Sequence, residues 1–214
     1  MIRRSIAAAL LSISLIGAGP PAASPVSGRP LVLAFGDSLT AGFGLEQGLG
    51  FAPQLQATLR RHGIKAEVVD AGVSGDTSQA GKARLGWTLD GLQRKPDLVI
   101  LELGANDMLR ALDPALTEAN LDAMLVELKR RRIPVLVAGM RAAPNLDPVY
   151  VARFDAIYAR VARRHGAALY PFFLDGVAAQ QGMVQPDGMH PTFMGIKTIV
   201  SRITPAVKQA LNRR

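Results

Sequence analysis

The stretch LVLAFGDSL, residues 31–39, decides the predicted fold. Its first five residues form a short, continuous apolar run, which is typical of a strand buried on both faces of a parallel sheet. Gly, Asp and Ser follow directly, so Ser38 is expected just beyond the end of that strand. Ligands bind at the carboxyl ends of the strands in open α/β sheets. The chemistry of this protein is therefore expected in the segments that follow its strands.

Strand-like and helix-like segments alternate along the rest of the chain. Further strands are predicted over 66–70, 97–103, 133–139 and 167–172. Amphipathic or helix-forming segments, several ending at a glycine, predict helices over 51–62, 80–94, 117–131, 148–165 and 192–211. This alternation predicts an α/β fold with a parallel sheet and helices on both faces.

Composition restricts the classes of function. The chain has 214 residues, which suits one domain, and it contains no cysteine, which excludes thiol nucleophiles, thiolate zinc sites and disulfides. Three histidines are too few to favour a His-rich metal centre. The net charge of +8 is accompanied by only 5% aromatic residues and no recognition motif, which argues against nucleic-acid binding. We expect no metal and no cofactor.

The N-terminus predicts an export signal over residues 1–24. Arg3 and Arg4 precede an apolar stretch of about 15 residues, which is shorter than the roughly 20 residues that a membrane span needs. Small residues follow, as expected near a cleavage site. A single domain over 25–214, a periplasmic or secreted location and no stable membrane span after signal removal are predicted. The alternative is an uncleaved N-terminal anchor.

One histidine stands apart from the other two. His62 and His165 each occupy the last turn of a predicted helix, where a cation complements the helix dipole. His190 instead lies in the loop PDGMHP before the last helix, three residues after Asp187. A general base needs a histidine with an acceptor on its far nitrogen, which Asp187 can supply. Taken alone, this pattern is equally typical of a surface turn, and Ser38 alone is equally typical of a helix N-cap.

The second and third strands also end in loops that are rich in hydrogen-bond donors. Gly75 follows the second strand in GVSGDT, and Asn106 follows the third strand in GAND. Each residue alone is typical of a turn. Together with Ser38, they place a possible nucleophile and two donors at the ends of three strands. No dinucleotide fingerprint and no Gly-x-Ser-x-Gly elbow are present.

These segments together resemble a known family. GDSL at 36–39, Gly75, GAND at 104–107 and DGMHP at 187–191 are similar to the four sequence blocks of the GDSL, or SGNH, hydrolases. The longer strings GDSLTAG and SGDTS resemble the thioesterase, lysophospholipase and arylesterase branch of that family. The resemblance extends from about Leu31 to the last helix, which is nearly all of the chain after the predicted signal.

The resemblance implies a three-layer α/β/α sandwich with a five-stranded parallel sheet in flavodoxin-like order. It also implies a role for each matching residue. Ser38 is expected to be the nucleophile, His190 the general base and Asp187 the residue that orients His190. The Ser38 N–H, the Gly75 N–H and the Asn106 amide are expected to form the oxyanion hole.

The implied activity is hydrolysis of small acyl esters or thioesters, including lysophospholipids, through an acyl-enzyme. Asp37 is expected to hold the loop around Ser38. Leu109, Leu112 and Leu146 flank the predicted mouth of the site and either line an acyl groove or anchor loops. One alternative is a carbohydrate O-deacetylase with the same fold and triad. A second alternative is a non-catalytic binding protein of the cell envelope.

Overall fold

A computed structural model describes residues 28–213 of the protein. The predicted signal over 1–24 lies outside the described residues, and so does the alternative of an N-terminal anchor. Within the described range, no helix is both long enough and apolar enough to span a bilayer.

A five-stranded sheet forms the centre of the molecule. Its strands are β1 (Leu31–Gly36), β2 (Glu67–Gly72), β3 (Leu98–Glu102), β4 (Val135–Ala138) and β5 (Ala168–Tyr170). The strand order is β2-β1-β3-β4-β5, and every neighbouring pair is parallel. This is the flavodoxin-like order, and the predicted fold class is confirmed.

Seven helices are present between residues 28 and 213. They are α1 (Ser38–Ala41), α2 (Phe51–Arg61), α3 (Ser78–Asp90), α4 (Ala105–Leu109), α5 (Pro114–Arg130), α6 (Pro148–His165) and α7 (Phe193–Asn212). Helix α2 packs against α7, whereas α5 packs against both α3 and α6. Right-handed crossovers place α2 on one face of the sheet and α3, α5 and α6 on the other, because the chain moves from β1 towards one edge and then from β2 towards the opposite edge.

Burial explains why some strands are easier to recognise than others. All residues of the central strands β1 and β3 are buried, so both segments are continuously apolar except at their ends. The edge strands β2 and β5 are partly exposed and carry weaker apolar patterns. The predicted helix 80–94 instead spans Ser78–Asp90, because Thr77 caps its start and Gly91 follows its last residue.

The chain turns tightly at the carboxyl ends of β1 and β2. A side chain at Gly36 would collide with the Thr40 hydroxyl and with Glu102, and one at Gly72 would collide with the backbone of Ala41. Glycine at both positions therefore lets α1 lie directly against the ends of these strands. This close approach sets the position of the first residue of α1, Ser38.

Candidate active site

Ser38 is the first residue of α1 and is not its N-cap. The cap is Asp37, whose Oδ1 accepts a hydrogen bond of 3.0 Å from the Leu39 N–H. The interpretation of Ser38 as a capping residue is therefore wrong. Its hydroxyl is left available for other contacts, in a side chain that is only 9% exposed.

The hydroxyl of Ser38 contacts His190, although 152 residues separate them in the sequence. The distance from Ser38 Oγ to His190 Nε2 is 2.9 Å. The other ring nitrogen, Nδ1, lies 2.7 Å from Asp187 Oδ2. The structure thus brings these three predicted residues into one hydrogen-bonded line. In such a line an imidazole can take a proton from the hydroxyl while the carboxylate fixes its orientation.

Backbone N–H groups hold Asp187 in its ionised form. Its Oδ1 accepts hydrogen bonds from the N–H groups of Met189, at 2.9 Å, and His190, at 3.0 Å. The bond from Met189, followed by the bonds from the ring and backbone of His190, lowers the pKa of Asp187 to about 2. The carboxylate therefore stays charged at neutral pH.

Two further residues, which sequence reasoning missed, support the histidine loop. The backbone N–H of Gln185 donates to the His190 carbonyl at 2.7 Å, and its side-chain amide donates to the carbonyls of Phe43, at 2.7 Å, and Pro191, at 2.9 Å. The Phe43 ring lies 4.5 Å from the His190 ring, centroid to centroid. Gln185 therefore ties the histidine loop to the loop after α1. A side chain at Gly44 would strike the Gln185 amide, so that contact also depends on glycine.

Three groups with hydrogen-bond donors lie in the segments that follow β1, β2 and β3. The Ser38 N–H lies at the start of α1, where no intrahelical acceptor exists. The Gly75 N–H lies in a turn with φ of 87°, and no acceptor for it is found among the described residues. The Asn106 amide lies at the start of α4 and donates to Asp37 Oδ2, at 3.2 Å, and to the Asp76 carbonyl, at 3.0 Å. Asn106 was expected in a loop and lies instead in a one-turn helix.

An ion pair holds the loop after β2 against the end of β1. Arg84 of α3 donates to Asp76 Oδ2 at 2.6 Å and to the Gly36 carbonyl at 2.9 Å. Its guanidinium carbon lies 4.0 Å from the centroid of the Phe35 ring. Both charged side chains are largely buried. Nothing in the sequence pattern indicated this pair, because its partners come from three separate segments.

Two buried carboxyl groups lie beneath the serine. Asp37 and Glu102 are each 0% exposed. Burial is the largest cause that raises the pKa of both groups, and for Glu102 the negative charge of Asp37 adds to it. Asp37 has the contacts expected of a residue that holds the loop around Ser38.

The predicted leucines differ in exposure, and the other two histidines have local partners. Leu109, at the end of α4, is 55% exposed, whereas Leu112 and Leu146 are partly buried. Leu146 packs against the hydrophobic core, which fits an ordinary loop anchor. His62 caps the C-terminus of α2, and His165, at the end of α6, lies 2.8 Å from Asp122 Oδ1.

A model of the GDSL-like lipase/acylhydrolase family matches residues 34–195. The chain belongs to this family. Esterase TesA of Pseudomonas aeruginosa is 39% identical to it over 180 residues, which cover 84% of this chain and 89% of the relative. Thioesterase 1/protease 1/lysophospholipase L1 of Escherichia coli is 36% identical over 160 residues, which cover 75% of this chain and 74% of the relative.

Solved structures give the same result for this GDSL hydrolase. The crystal structure of AlinE4, an SGNH-hydrolase family esterase, superposes with a TM-score of 0.74 at 47% identity, covering 87% of this chain and 98% of that chain. A crystal structure of TesA superposes with a TM-score of 0.79 at 39% identity, covering 84% and 99%. The predictions of the family, of the fold and of a carboxylic ester hydrolase are confirmed.

Proposed function

We propose that Ser38, His190 and Asp187 form the catalytic triad of this hydrolase, which cleaves esters through an acyl-enzyme. The observation that carries the proposal is the unbroken line of short hydrogen bonds from Asp187 through His190 to Ser38. The line lies at the carboxyl edge of the sheet, where substrates of α/β enzymes bind.

The geometry supports the usual sequence of proton transfers. His190 Nε2 takes the Ser38 proton as Oγ attacks the acyl carbonyl carbon, and the Asp187 carboxylate stabilises the imidazolium that forms. The tetrahedral intermediate then collapses, and His190 gives the proton to the leaving alcohol or thiol. Water, activated by His190, attacks the acyl-enzyme and releases the carboxylic acid and free Ser38.

The N–H groups of Ser38 and Gly75 and the Asn106 amide are proposed to bind the oxyanion of that intermediate. The two backbone groups have no acceptor among the described residues, so the negative oxygen would be their first partner. The Asn106 amide is already directed by Asp37 and Asp76. The hydrogen that it donates to the Asp76 carbonyl would be shared with the oxyanion.

We assign the substrates to esters and thioesters of single acyl chains, including acyl-CoA and lysophospholipids. Six large apolar side chains that lie within five positions along the sequence of Ser38, Gly75, Asn106 or His190 are between 37% and 55% exposed. They are Phe43, Val73, Leu109, Met189, Phe193 and Met194. Exposed apolar side chains at these positions favour an acyl chain over the short polar substrate of a carbohydrate O-deacetylase. The relative named thioesterase 1/protease 1/lysophospholipase L1 supports the same assignment.

We also infer that the enzyme acts outside the cytoplasm, after removal of a signal over 1–24 from a single hydrolase domain over 25–214. The family match over 34–195 supports one domain in that range. The intact mass of the protein recovered from the periplasm or medium of an expressing cell tests this inference. A chain that keeps residues 1–24 would favour the uncleaved anchor.

A phosphonylating probe tests the triad directly. We expect a fluorophosphonate to label the wild-type protein at Ser38, located by peptide mass spectrometry, and to leave Ser38→Ala unlabelled. Ser201, an exposed serine of α7, supplies the matched control, because Ser201→Ala should label like the wild type. Absence of labelling in the wild type, or hydrolysis by Ser38→Ala at a comparable rate, would overturn the assignment.

A panel of p-nitrophenyl esters of rising chain length, assayed beside acyl-CoA and lysophospholipid, tests the substrate class. We expect kcat/KM to rise beyond acetyl, because each buried methylene adds about 0.8 kcal/mol of apolar transfer free energy. A maximum at acetyl would favour the deacetylase instead.

A further inference from the structure

Glu102 has an unpaired oxygen in the protein interior. It is the last residue of β3 and is completely buried. Its Oε2 accepts hydrogen bonds from the Thr40 hydroxyl, at 2.8 Å, and from the Asp37 N–H, at 3.4 Å. Its Oε1 has no hydrogen-bond donor among the described residues. A buried, ionised carboxylate with one oxygen that accepts no hydrogen bond is energetically unfavourable. We therefore expect Glu102 to be protonated.

The neighbouring carboxylate of Asp37 offers a protonated Glu102 an acceptor for its O–H. The backbone N–H of Asp37 donates to Glu102 Oε2, and the negative charge of the Asp37 side chain opposes the ionisation of Glu102. Burial, together with the charge of Asp37, raises the pKa of Glu102 well above its usual range. A protonated Glu102 becomes a donor, and its O–H can point at the Asp37 carboxylate. The pair then carries one negative charge, on Asp37.

Asp37 in turn contacts two parts of the proposed catalytic machinery. Its Oδ1 accepts from the Leu39 N–H and so fixes the turn that presents Ser38. Its Oδ2 accepts from the Asn106 amide at 3.2 Å. An ionised carboxylate accepts these hydrogen bonds more strongly than a neutral acid does.

We propose that Glu102 is a positioning residue that keeps a proton at neutral pH, donates it in a hydrogen bond to Asp37, and so holds Asp37 as the acceptor that orients Ser38 and Asn106. This inference rests on the proposed triad and oxyanion hole. Glu102 itself does not contact the substrate, because the side chain is completely buried.

The charged surroundings do not offer another partner for the pair. Three titratable side chains from other elements face one or both carboxyl groups: Tyr158 of α6, Asp76 and His190. The Arg84 guanidinium, which donates to the neighbouring Gly36 carbonyl, is paired with Asp76. No lysine or arginine between residues 28 and 213 forms an ion pair with Glu102 or Asp37.

Two substitutions distinguish three possible roles of Glu102: a neutral hydrogen-bond donor, a negative charge, and a side chain that only fills space. Glu102→Gln keeps the size, an acceptor for Thr40 and a donor towards Asp37, whereas Glu102→Met keeps the size alone. We expect Glu102→Met to lower kcat by about 10- to 100-fold with little change in KM, because small displacements of catalytic groups have effects of that order. Glu102→Gln should recover most of this loss.

Two outcomes would overturn the proposal. Equal losses in both variants would mean that the charge of Glu102 is required, and equal retention of activity would mean that Glu102 only fills space. Melting temperatures of both variants show whether a loss of activity arises from unfolding. Asp155→Asn is the matched control for the isosteric change, since Asp155 bonds to the Ala142 N–H away from the serine.

Infrared spectroscopy tests the proton without reference to catalysis. The difference spectrum of wild type minus Glu102→Gln at pH 7 should contain the carbonyl band of a protonated carboxyl group. A band of ionised carboxylate alone would overturn the proposal, even if the triad were correct. Conversely, failure of the fluorophosphonate labelling at Ser38 would overturn the proposed triad and leave the infrared result unaffected.

Discussion

The exposed loop that carries Asp187 and His190 and the buried pair Asp37 and Glu102 beneath Ser38 shift the pKa of their carboxyl groups in opposite directions. In the loop, two backbone N–H groups and an imidazole face Asp187 and lower its pKa to about 2. In the buried layer, burial raises the pKa of both Asp37 and Glu102. Asp187 therefore stays negatively charged beside His190. Asp37 and Glu102, in contrast, are proposed to carry one negative charge between them.

A third buried carboxyl group, that of Asp107, differs from Glu102 in its hydrogen bonds. Asp107 of α4 is 1% exposed, yet it accepts three hydrogen bonds, from the N–H and the hydroxyl of Ser78 and from the Thr117 hydroxyl. Both of its oxygens have donors, whereas Oε1 of Glu102 has none. The fold therefore supplies donors to both oxygens of Asp107 but to only one oxygen of Glu102.

The largest expected effect comes from removing the charge in the exposed loop. Asp187→Asn should lower kcat by roughly 10³- to 10⁴-fold, because an amide favours the wrong imidazole tautomer and does not stabilise the imidazolium. Steady-state kinetics measure the loss. Asp175→Asn, at an exposed aspartate paired with Arg202, is the control and should have near wild-type kcat. A loss below about tenfold in Asp187→Asn would contradict the role of Asp187.

A smaller loss of kcat is expected from removing the Asn106 amide, which donates to the buried Asp37 carboxyl group. Asn106→Ala should lower kcat by roughly 10²- to 10³-fold, as removal of one oxyanion donor typically does, with little change in melting temperature. Asn120→Ala supplies the contrast, because Asn120 is buried but donates to Ser78 Oγ. That variant should lose stability and keep its kcat. Undiminished turnover in Asn106→Ala would remove Asn106 from the oxyanion hole.

Amide substitution at Asp107 and at Glu102 should affect folding differently. Asp107→Asn replaces an acceptor oxygen by an amide that faces hydrogen-bond donors, so we expect a loss of about 1–3 kcal/mol in the free energy of unfolding. Glu102→Gln replaces a neutral acid by a neutral amide and should raise rather than lower that free energy at pH 7, because only the glutamate gains a charge on unfolding. Urea denaturation at pH 7 measures both values. Equal losses would remove the distinction between the two groups.

The two regions should also differ in the pH dependence of stability. Glu102 has a folded-state pKa above its ordinary value of 4.5, so its contribution to stability is present below that pH and is lost as the pH rises towards the folded-state pKa. Wild type should therefore lose stability relative to Glu102→Gln above about pH 4.5, by at most about 1.4 kcal/mol per pH unit. A constant difference between the two proteins from pH 4 to 8 would contradict this expectation.

Asp187 should show the opposite dependence. Its folded-state pKa of about 2 lies below the ordinary value of 3.8, so its contribution is present above pH 3.8 and is lost as the pH falls through about 2. Comparison of Asp187→Asn with wild type at acid pH measures that contribution. The two regions would then be distinguished by stability curves of opposite slope.

Much of the fold was predictable because buried parallel strands have a local signature. The segments 31–35 and 98–101 are continuously apolar, and the glycines at 63 and 166 follow the helices expected before them. The short helices α1 and α4 were not predicted. Helices of four or five residues have no visible apolar period, and tertiary contacts stabilise them rather than intrinsic helix propensity.

By itself, the sequence determined the order of strands and helices, the family and the candidate residues, because these depend on local patterns and short motifs. Only the tertiary structure decided which distant atoms meet. The contacts of Gln185 with Phe43, Arg84 with Gly36 and Glu102 with Asp37 join residues 142, 48 and 65 positions apart. A protonation state such as that of Glu102 depends on burial and on the donors around it, and neither is encoded in the residues next to it in the chain.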